Sequence, residues 1–426
     1  MLNRLKNLSS EFLNILKESS SLADSLGFKV YLVGGVVRDL ILEKNVSDLD
    51  IVVEGDAIVF ADKLSEVFGE KLQRHHSFGT ATVNFNEHKI DFATARTETY
   101  SHHGVLPKVS SASIVEDLFR RDFTINAMAI SLNKDDYGKL IDLYDGLVDL
   151  KKKLIRILHE KSFLDDPTRI LRAIRFEQRF NFKFEDKTFK LMKTALNIEA
   201  LRFVGHHRIR DEIFLILKEI NPYKYIKRIN DLAGFYFINS QIELKQKDLE
   251  IFLRIDHSLT YYDGKLKNHK VLQLYLIYLA GILCNLSLEK VKKITQDLGL
   301  KKRDSDIIYS IRKGLTSIKK LANYKTPHII YKTLNFYSRE SLLFFYAYYG
   351  KEVKKNIKFY LNELADIKLK TNGKDLKRLG FKPLTAYSKI FKKLLYMKID
   401  KRFKTKEEEL NYAQRILDRL AEELNP

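Results

Sequence analysis

The sequence predicts an α/β head built on a mixed β-sheet with flanking helices, followed by an all-α C-terminal region. Two observations carry that reading. Up to about residue 145, short β-rich runs alternate with helical segments and turn residues. Beyond residue 150 a 3.6-residue period takes over, with Leu, Ile, Phe and Tyr on one side and Lys or Glu on the other. A chain of 426 residues also exceeds what one ordinary core organises, so two or more domains are expected, and 45% hydrophobic with 31% charged residues is a globular composition.

Each element has its own signal. "MLNRLKNLSSEFLNILKESS" reads as an amphipathic helix without a cleavage-site pattern, so no targeting segment is expected. "KVYLVGG", "SDLDIVVEG", "TATVNF", "HKIDFATAR" and "NAMAISLN" are strand candidates bounded by turn residues, and "YLVGGVVRDLIL" reads as a strand that ends at Gly34-Gly35 before a helix beginning near Val36. In the helical part, "VLQLYLIYLAGILC" (271–284) is too short to cross a bilayer and is expected to be a buried helix. No internal repeat, low-complexity linker or long heptad run appears.

A net charge of +20, spread along the chain, points to a polyanionic partner such as nucleic acid; a solvated basic surface accounts for the same number. One cysteine, Cys284, excludes an internal disulfide framework and a Cys-based zinc site and fits a reducing cytoplasm. The His pairs at 75–76, 102–103 and 206–207 make poor metal ligands because adjacent side chains diverge, and "RIDHS" (254–258) gives no support for a phosphohydrolase domain.

The chemistry gathers in the head. In "VSDLDIVVEG" (46–55), Asp48 and Asp50 lie two apart on a strand, so both carboxylates leave one face, and like charges that close need compensation, most simply by a cation. Asp91 in "HKIDFATAR" offers a third carboxylate, an edge or surface position being the alternative. Two Mg²⁺ ions held roughly 3.5–4 Å apart by Asp48, Asp50 and Asp91 would suit nucleotidyl transfer, hard oxygen ligands selecting Mg²⁺ over soft metals. A turn-capping role for Asp48 and Asp50 is the alternative. Gly34 and Gly35 permit close backbone approach to a phosphate at a helix start, and Arg38 adds a charge. In "RRDFTINAMA" (120–129), Arg121 can meet a triphosphate while Asp122 and Asn126 hold the strand and turn around it; a basic strand start with a polar cap is the alternative. In "FLDDPTRILRAIRF", Asp166 before Pro167 reads as a helix cap, and Arg169, Arg172 and Arg175 form a row that commonly faces solvent or phosphate.

Together these blocks resemble the motifs of the class II tRNA nucleotidyltransferases and bacterial poly(A) polymerases, of the DNA polymerase β superfamily. "GGVVRDL" with "DLD" is similar to the first motif, "RRDFTINAMA" to the second, "LIDLYDG" (140–146) to the third, "DDPTRILRAIRF" (165–176) to the fourth and "HHRIRDEI" (206–213) to the fifth. The likeness spans residues 30–215, with a weaker echo of the family's C-terminal region in "KTNGKDLKRLGFKP" (370–383). It implies a nucleotidyltransferase head (1–146), a helical neck (147–215), a helical body (216–325) and a tRNA-binding helical tail (326–426). It further implies that Asp166 and Arg169 select CTP or ATP by Watson–Crick-like hydrogen bonds without a template. Asp accepts from the amino group that C and A share, and Arg donates to ring acceptors. Departures are Asp165 for Glu, Glu43 for Gly and His207 for Glu. The 94–109 segment stands where the family has a flexible loop associated with the switch to A addition; no role follows from the residues themselves for its Arg96, Glu98, His102 and His103.

The expected function is therefore Mg²⁺-dependent addition of CMP and AMP to the 3′ end of tRNA. The alternatives are a CC-adding or A-adding enzyme working with a complementary tRNA nucleotidyltransferase, a poly(A) polymerase, a small-molecule nucleotidyltransferase, or an inactive RNA-binding protein. Helices such as "KNIKFYLNEL" and "AYSKIFKKLLYMK", with Lys and aromatics interleaved, could grip tRNA by shape.

Overall fold

Period-two alternation builds the sheet that carries the site. In the computed structural model, which describes residues 2–85, 88–263, 272–381, 385–401 and 403–424, the strands that matter run in chain order as β1 (Lys29–Val33), β2 (Asp48–Glu54), β3 (Leu72–His75), β4 (Thr80–Phe85), β5 (His88–Thr94), β6 (Arg96–Thr99), β7 (Lys108–Ser111), β8 (Met128–Ser131) and β9 (Leu140–Asp142). Seven of them form one mixed sheet in the order β3-β4-β5-β2-β1-β8-β9, with β2 and β5 parallel and the other neighbours antiparallel; β6 and β7 make a separate hairpin. Leu49, Ile51 and Val53 of β2 and Ile90 and Phe92 of β5 are buried on one face. The opposite face carries Asp48, Asp50, Asp91 and Thr82.

The helices of this first unit are α1 (Leu2–Leu5), α2 (Ser10–Leu26), α3 (Gly35–Ile41), α4 (Ala57–Phe68), α5 (Ile114–Phe119), α6 (Gly146–Lys152), α7 (Ser162–Asp165), α8 (Thr168–Phe180), α9 (Asp186–Asn197) and α10 (His206–Leu217). The N-terminal run expected as one helix breaks in two, because Ser9 caps α2 by accepting from Phe12 N at 3.2 Å. The Asp56 carboxylate caps α4, whose Phe60 meets Phe92 of the sheet at 6.0 Å between ring centroids. On the other face Ile114 and Leu118 of α5 pack with Tyr31, Val33, Val52 and Ala129. Asp142, in the third sequence block, accepts from Gly146 N and Leu147 N at 2.7 and 2.8 Å and so holds the start of α6.

Two compact units divide the chain: residues 1–219 with 228–238, and residues 220–227 with 239–426. The second is helical, including Gln246–Asp263, Leu274–Leu283, Lys302–Ser317, Arg339–Tyr348, Thr385–Ile399 and Lys406–Leu424. Leu274–Leu283 is buried almost throughout, as expected of its all-apolar sequence; Val271, at the head of that run, lies outside the described residues. Burial pushes the Cys284 thiol up to about 12, as suits a core thiol. Near the C-terminus Leu376, Phe381, Ile390, Leu394, Phe403 and Ala413 form a small core, and the buried Glu409 accepts from Lys370 N, Thr371 N and Lys398 Nζ. Of the "KTNGKDLKRLGFKP" stretch, Lys382 and Pro383 lie outside the described residues. Among the described residues no helix is long and apolar enough to cross a membrane.

Glu43 explains one departure from the family pattern. It follows α3 with φ of 56°, the left-handed region where glycine is at ease and other residues are strained. Its ion pair with Arg4, at 3.8 Å on the surface, offsets little of that strain. Glu43→Gly is therefore expected to stabilise the protein by roughly 0.5–1 kcal/mol, raising the first thermal transition by about 1–3 °C. A lowered transition in a thermal melt would refute the strain assignment.

Candidate active site

The parallel pairing of β2 with β5 sets Asp50 directly beside Asp91, and Asp48 beside Lys89. Side chains opposite one another in a parallel ladder share a face, so three carboxylates meet on one surface. Asp91 is braced by Thr82 Oγ1 at 2.6 Å and Lys89 Nζ at 2.5 Å, and Asp48 by Ser47 Oγ at 2.9 Å. Removal from water raises the Asp50 carboxyl above its usual range; Arg121 opposes the shift, and Asp91 and Asp48 add to it. Among the described residues no group of three His, Cys, Asp or Glu side chains is drawn together closely enough to enclose a metal ion. The donor set itself, all hard oxygen and mutually repelling, has the chemistry that a divalent cation relieves.

Asp50 opens into a cleft of about 460 Å³ shared with Gly34, Gly35, Arg38, Arg121, Asp122, Asn126, Asp166, Arg169, Arg172 and Arg175. All the residues singled out in the sequence for nucleotide binding thus line one cavity, whereas Asp48 and Asp91 stand beside it. Seven arginines against four carboxylates make it an anion site. At one end of the cleft Gly34 starts α3 with φ of 72°, and a Cβ there would stand 2.7 Å from Arg121 Nη1. That nitrogen makes no hydrogen bond among the described residues, while Arg121 uses Nε and Nη2 on Asp117 Oδ2 at 3.2 and 2.9 Å. Asp117 is fully buried and holds Arg120 with its other oxygen. Burial alone would raise its carboxyl, yet Arg121 and Arg120 keep it below the usual range.

Arg38 lines the cleft and is already engaged within the protein. Its guanidinium donates to Asp39 and to Asn126 Oδ1, at 2.9 and 2.5 Å, and lies over the rings of Phe176 and Phe180 at 5.3 and 4.7 Å. It ties the sheet to α8. The arginine row also faces acids rather than bulk water: Arg172 meets Asp122 at 2.7 Å and Glu212 at 3.1 Å, and Arg175 stands 3.7 Å from Glu212 and from Glu219. Asp122 additionally accepts from Asn126 Nδ2 and Phe123 N, both at 2.9 Å. Burial would raise the Asp122 carboxyl, but Arg172 and Asn126 bring it down to about 2. His207 is exposed on α10, which docks through Ile209, Ile213 and Ile216 instead.

The far end of the cleft carries the expected base readers. Asp166 Oδ1 accepts from Thr168 N and Oγ1 at 3.0 and 2.6 Å and forms an ion pair with Arg208 Nη2 at 2.8 Å, whereas no protein hydrogen-bond donor among the described residues reaches Oδ2. One oxygen is thus engaged within the protein and the other is not. Sequence reasoning missed Arg208, which also donates to Gly104 O at 3.1 Å and so ties the β6–β7 hairpin to this end. It missed Glu98, Tyr100 and Arg120 as cleft residues too. Glu98 accepts from Arg120 Nη1, Arg96 Nη2 and Tyr100 Oη, at 2.8, 3.1 and 2.7 Å. "ETY" beside a basic segment was the available signal, but its partner lies 22 residues away.

A sheet bearing paired carboxylates beside an arginine-lined cleft is that of a nucleotidyltransferase head, and residues 30–156 match the Poly A polymerase head domain family. An A-adding tRNA nucleotidyltransferase of Geobacter sulfurreducens is 33% identical over 95% of this chain and 47% of its own length, so the chain spans about half of that relative. The A-adding tRNA nucleotidyltransferase of Halalkalibacterium halodurans is 34% identical over 92% of this chain and 88% of its own. A solved Thermotoga maritima CCA-adding enzyme complexed with tRNA superposes with a TM-score of 0.78 at 32% identity, covering 97% of each chain. The chain belongs to the class II tRNA nucleotidyltransferase family.

Proposed function

We propose that this chain adds nucleotides to the 3′ end of tRNA, transferring CMP and AMP from CTP and ATP. The observation that carries the reading is one cleft lined by Asp50 and Arg121 together with Asp166 and Arg169. A metal-bearing carboxylate, a phosphate contact and two base readers are what template-independent nucleotidyl transfer needs. Asp48, Asp50 and Asp91 would hold divalent cations, Mg²⁺ by ligand hardness, which when bound lower the charge on the transferring phosphate and acidify the attacking hydroxyl. Arg121 donates Nη1 to the triphosphate above Gly34. Asp166 Oδ2 accepts the amino group common to cytosine and adenine, and Arg169 donates to a ring acceptor. The 3′-oxygen of the RNA bonds to the α-phosphorus as the bond to pyrophosphate breaks.

The second unit would hold tRNA by phosphate contacts and shape, in a cytoplasmic setting that the lone buried thiol fits. Two specificities each have support. The match along nearly the whole length of the Halalkalibacterium protein favours A addition alone, in which case a complementary CC-adding enzyme is the partner. The Thermotoga structure favours complete CCA addition. Transcripts ending before CCA, after C, or after CC, each given CTP, ATP or both with Mg²⁺, separate them. Growth by CCA and then arrest is expected of the full activity, and growth by A only on the CC-ended transcript of the split one. Long A tails would mean a poly(A) polymerase, and no incorporation on any transcript would overturn the enzymatic reading.

A further inference from the structure

We infer that Ser162 is a positioning residue for base selection, its hydroxyl and the Arg120 carbonyl together setting the plane of the Arg169 guanidinium. The inference rests on the reading in which Asp166 and Arg169 select the nucleotide. Arg169 is 4% exposed and its two terminal nitrogens donate inward, Nη1 to Ser162 Oγ at 2.6 Å and Nη2 to Arg120 O at 2.7 Å. A guanidinium is a rigid planar fork, so two acceptors on its two prongs define both its tilt and its rotation. Only one hydrogen of each prong is then left for an acceptor in the cleft.

A swing is otherwise open to it. Arg169 lines the nucleotide cleft on one side and, on the other, a second cavity of about 390 Å³ walled by Phe119, Tyr144 and His159. The guanidinium stands between two voids, and its two inward hydrogen bonds are what hold it toward the nucleotide. Ser162 is itself fully buried, so its hydroxyl is not exchanged for water. It is also coupled to the other reader, since Asp166 N donates to Ser162 O at 3.2 Å across the short turn of α7. One residue thus touches both halves of the base-reading pair: the side chain sets Arg169 and the main chain sets Asp166. Discrimination depends on leaving buried donors unpaired against the wrong base. A guanidinium free to turn would re-pair with U or G and lose that penalty.

The test is single-nucleotide incorporation by the full chain on a tRNA transcript ending in CC, with ATP against GTP and UTP, for Ser162→Ala, Ser162→Thr and Arg169→Ala. Ser162→Ala is expected to narrow discrimination about tenfold, the worth of one charged hydrogen bond, chiefly through a raised KM for ATP with kcat changed less. Ser162→Thr, which keeps the hydroxyl, is expected to restore it. Should Ser162→Ala not fold, Ser162→Cys, of similar volume and with only a weak acceptor, carries the same comparison. Unchanged discrimination in a folded Ser162→Ala or Ser162→Cys protein, with discrimination lost in Arg169→Ala, overturns the inference and leaves the reading of Asp166 and Arg169 standing. Unchanged discrimination in Arg169→Ala overturns both.

Discussion

Asp50→Ala is expected to lower nucleotide incorporation by about a thousandfold or more without weakening tRNA binding or stability, and Asp48→Ala to behave alike. The two carboxylates share a face with Asp91 across the parallel β2–β5 ladder, where the proposed cations would be held. The sign of the stability effect separates this from damage to the fold. Asp50 is raised above its ordinary value by removal from water and by Asp91 and Asp48, with Arg121 only partly opposing. A carboxylate whose folded pKa is raised works against folding once pH exceeds its unfolded value, so at neutral pH removing it leaves the fold as stable or slightly more so. Incorporation and filter binding of tRNA on the same samples decide the matter. Near-normal incorporation by both variants would remove the metal assignment, and loss of tRNA binding would mean that the change acts on the fold.

How far the sequence discloses this site follows from which signals are local. All five strands expected from alternation occur, because each sits with one face on a buried layer and β-branched residues mark it. β3, "LQRH", escapes notice since it is a polar edge strand with almost no buried side chain. The β6–β7 hairpin escapes for a related reason: its pairs, such as Arg96 with Ser111 and Glu98 with Val109, show no apolar face, and its loop contains no two-residue turn signature. Spacing placed Asp48, Asp50 and the arginine row correctly on strand and helix. It could not say that Arg172 meets Glu212, 40 residues on, or that Arg38 is spent on Asn126, 88 residues on, because those partners are chosen by tertiary packing. Glu43 was visible only as a departure from a family glycine; its φ supplies the cause.

The largest stability effect is expected at Asp122, which binds the segment between α5 and β8 to α8. It is held by Arg172 at two nitrogens, 2.9 and 2.7 Å, by Asn126 and by the Phe123 amide, with a side chain 10% exposed. Asp122→Ala leaves Arg172 with Glu212 as its acid partner among the described residues, and because the Arg172 side chain keeps 31% of its surface exposed, the loss is expected to fall below that of a fully buried orphaned charge, at about 2–3 kcal/mol. Replacing Arg172 as well, as in Asp122→Ala with Arg172→Met, is expected to recover part of the loss, since the desolvated charge goes with its partner. The same network predicts a pH signature. The folded carboxyl lies at about 2 against 3.8 in its ordinary state, so its contribution is present above pH 4 and is lost as pH falls through about 2. That shift corresponds to roughly 2 kcal/mol. Urea unfolding of the natural chain and of Asp122→Asn at pH 6, 4 and 2.5 reads it directly. The gap between the two should be widest at pH 6 and shrink toward pH 2.5, because protonation makes the natural side chain resemble the amide; a gap constant across that range would mean that the charge of Asp122, as distinct from its shape, does not hold α8 in place.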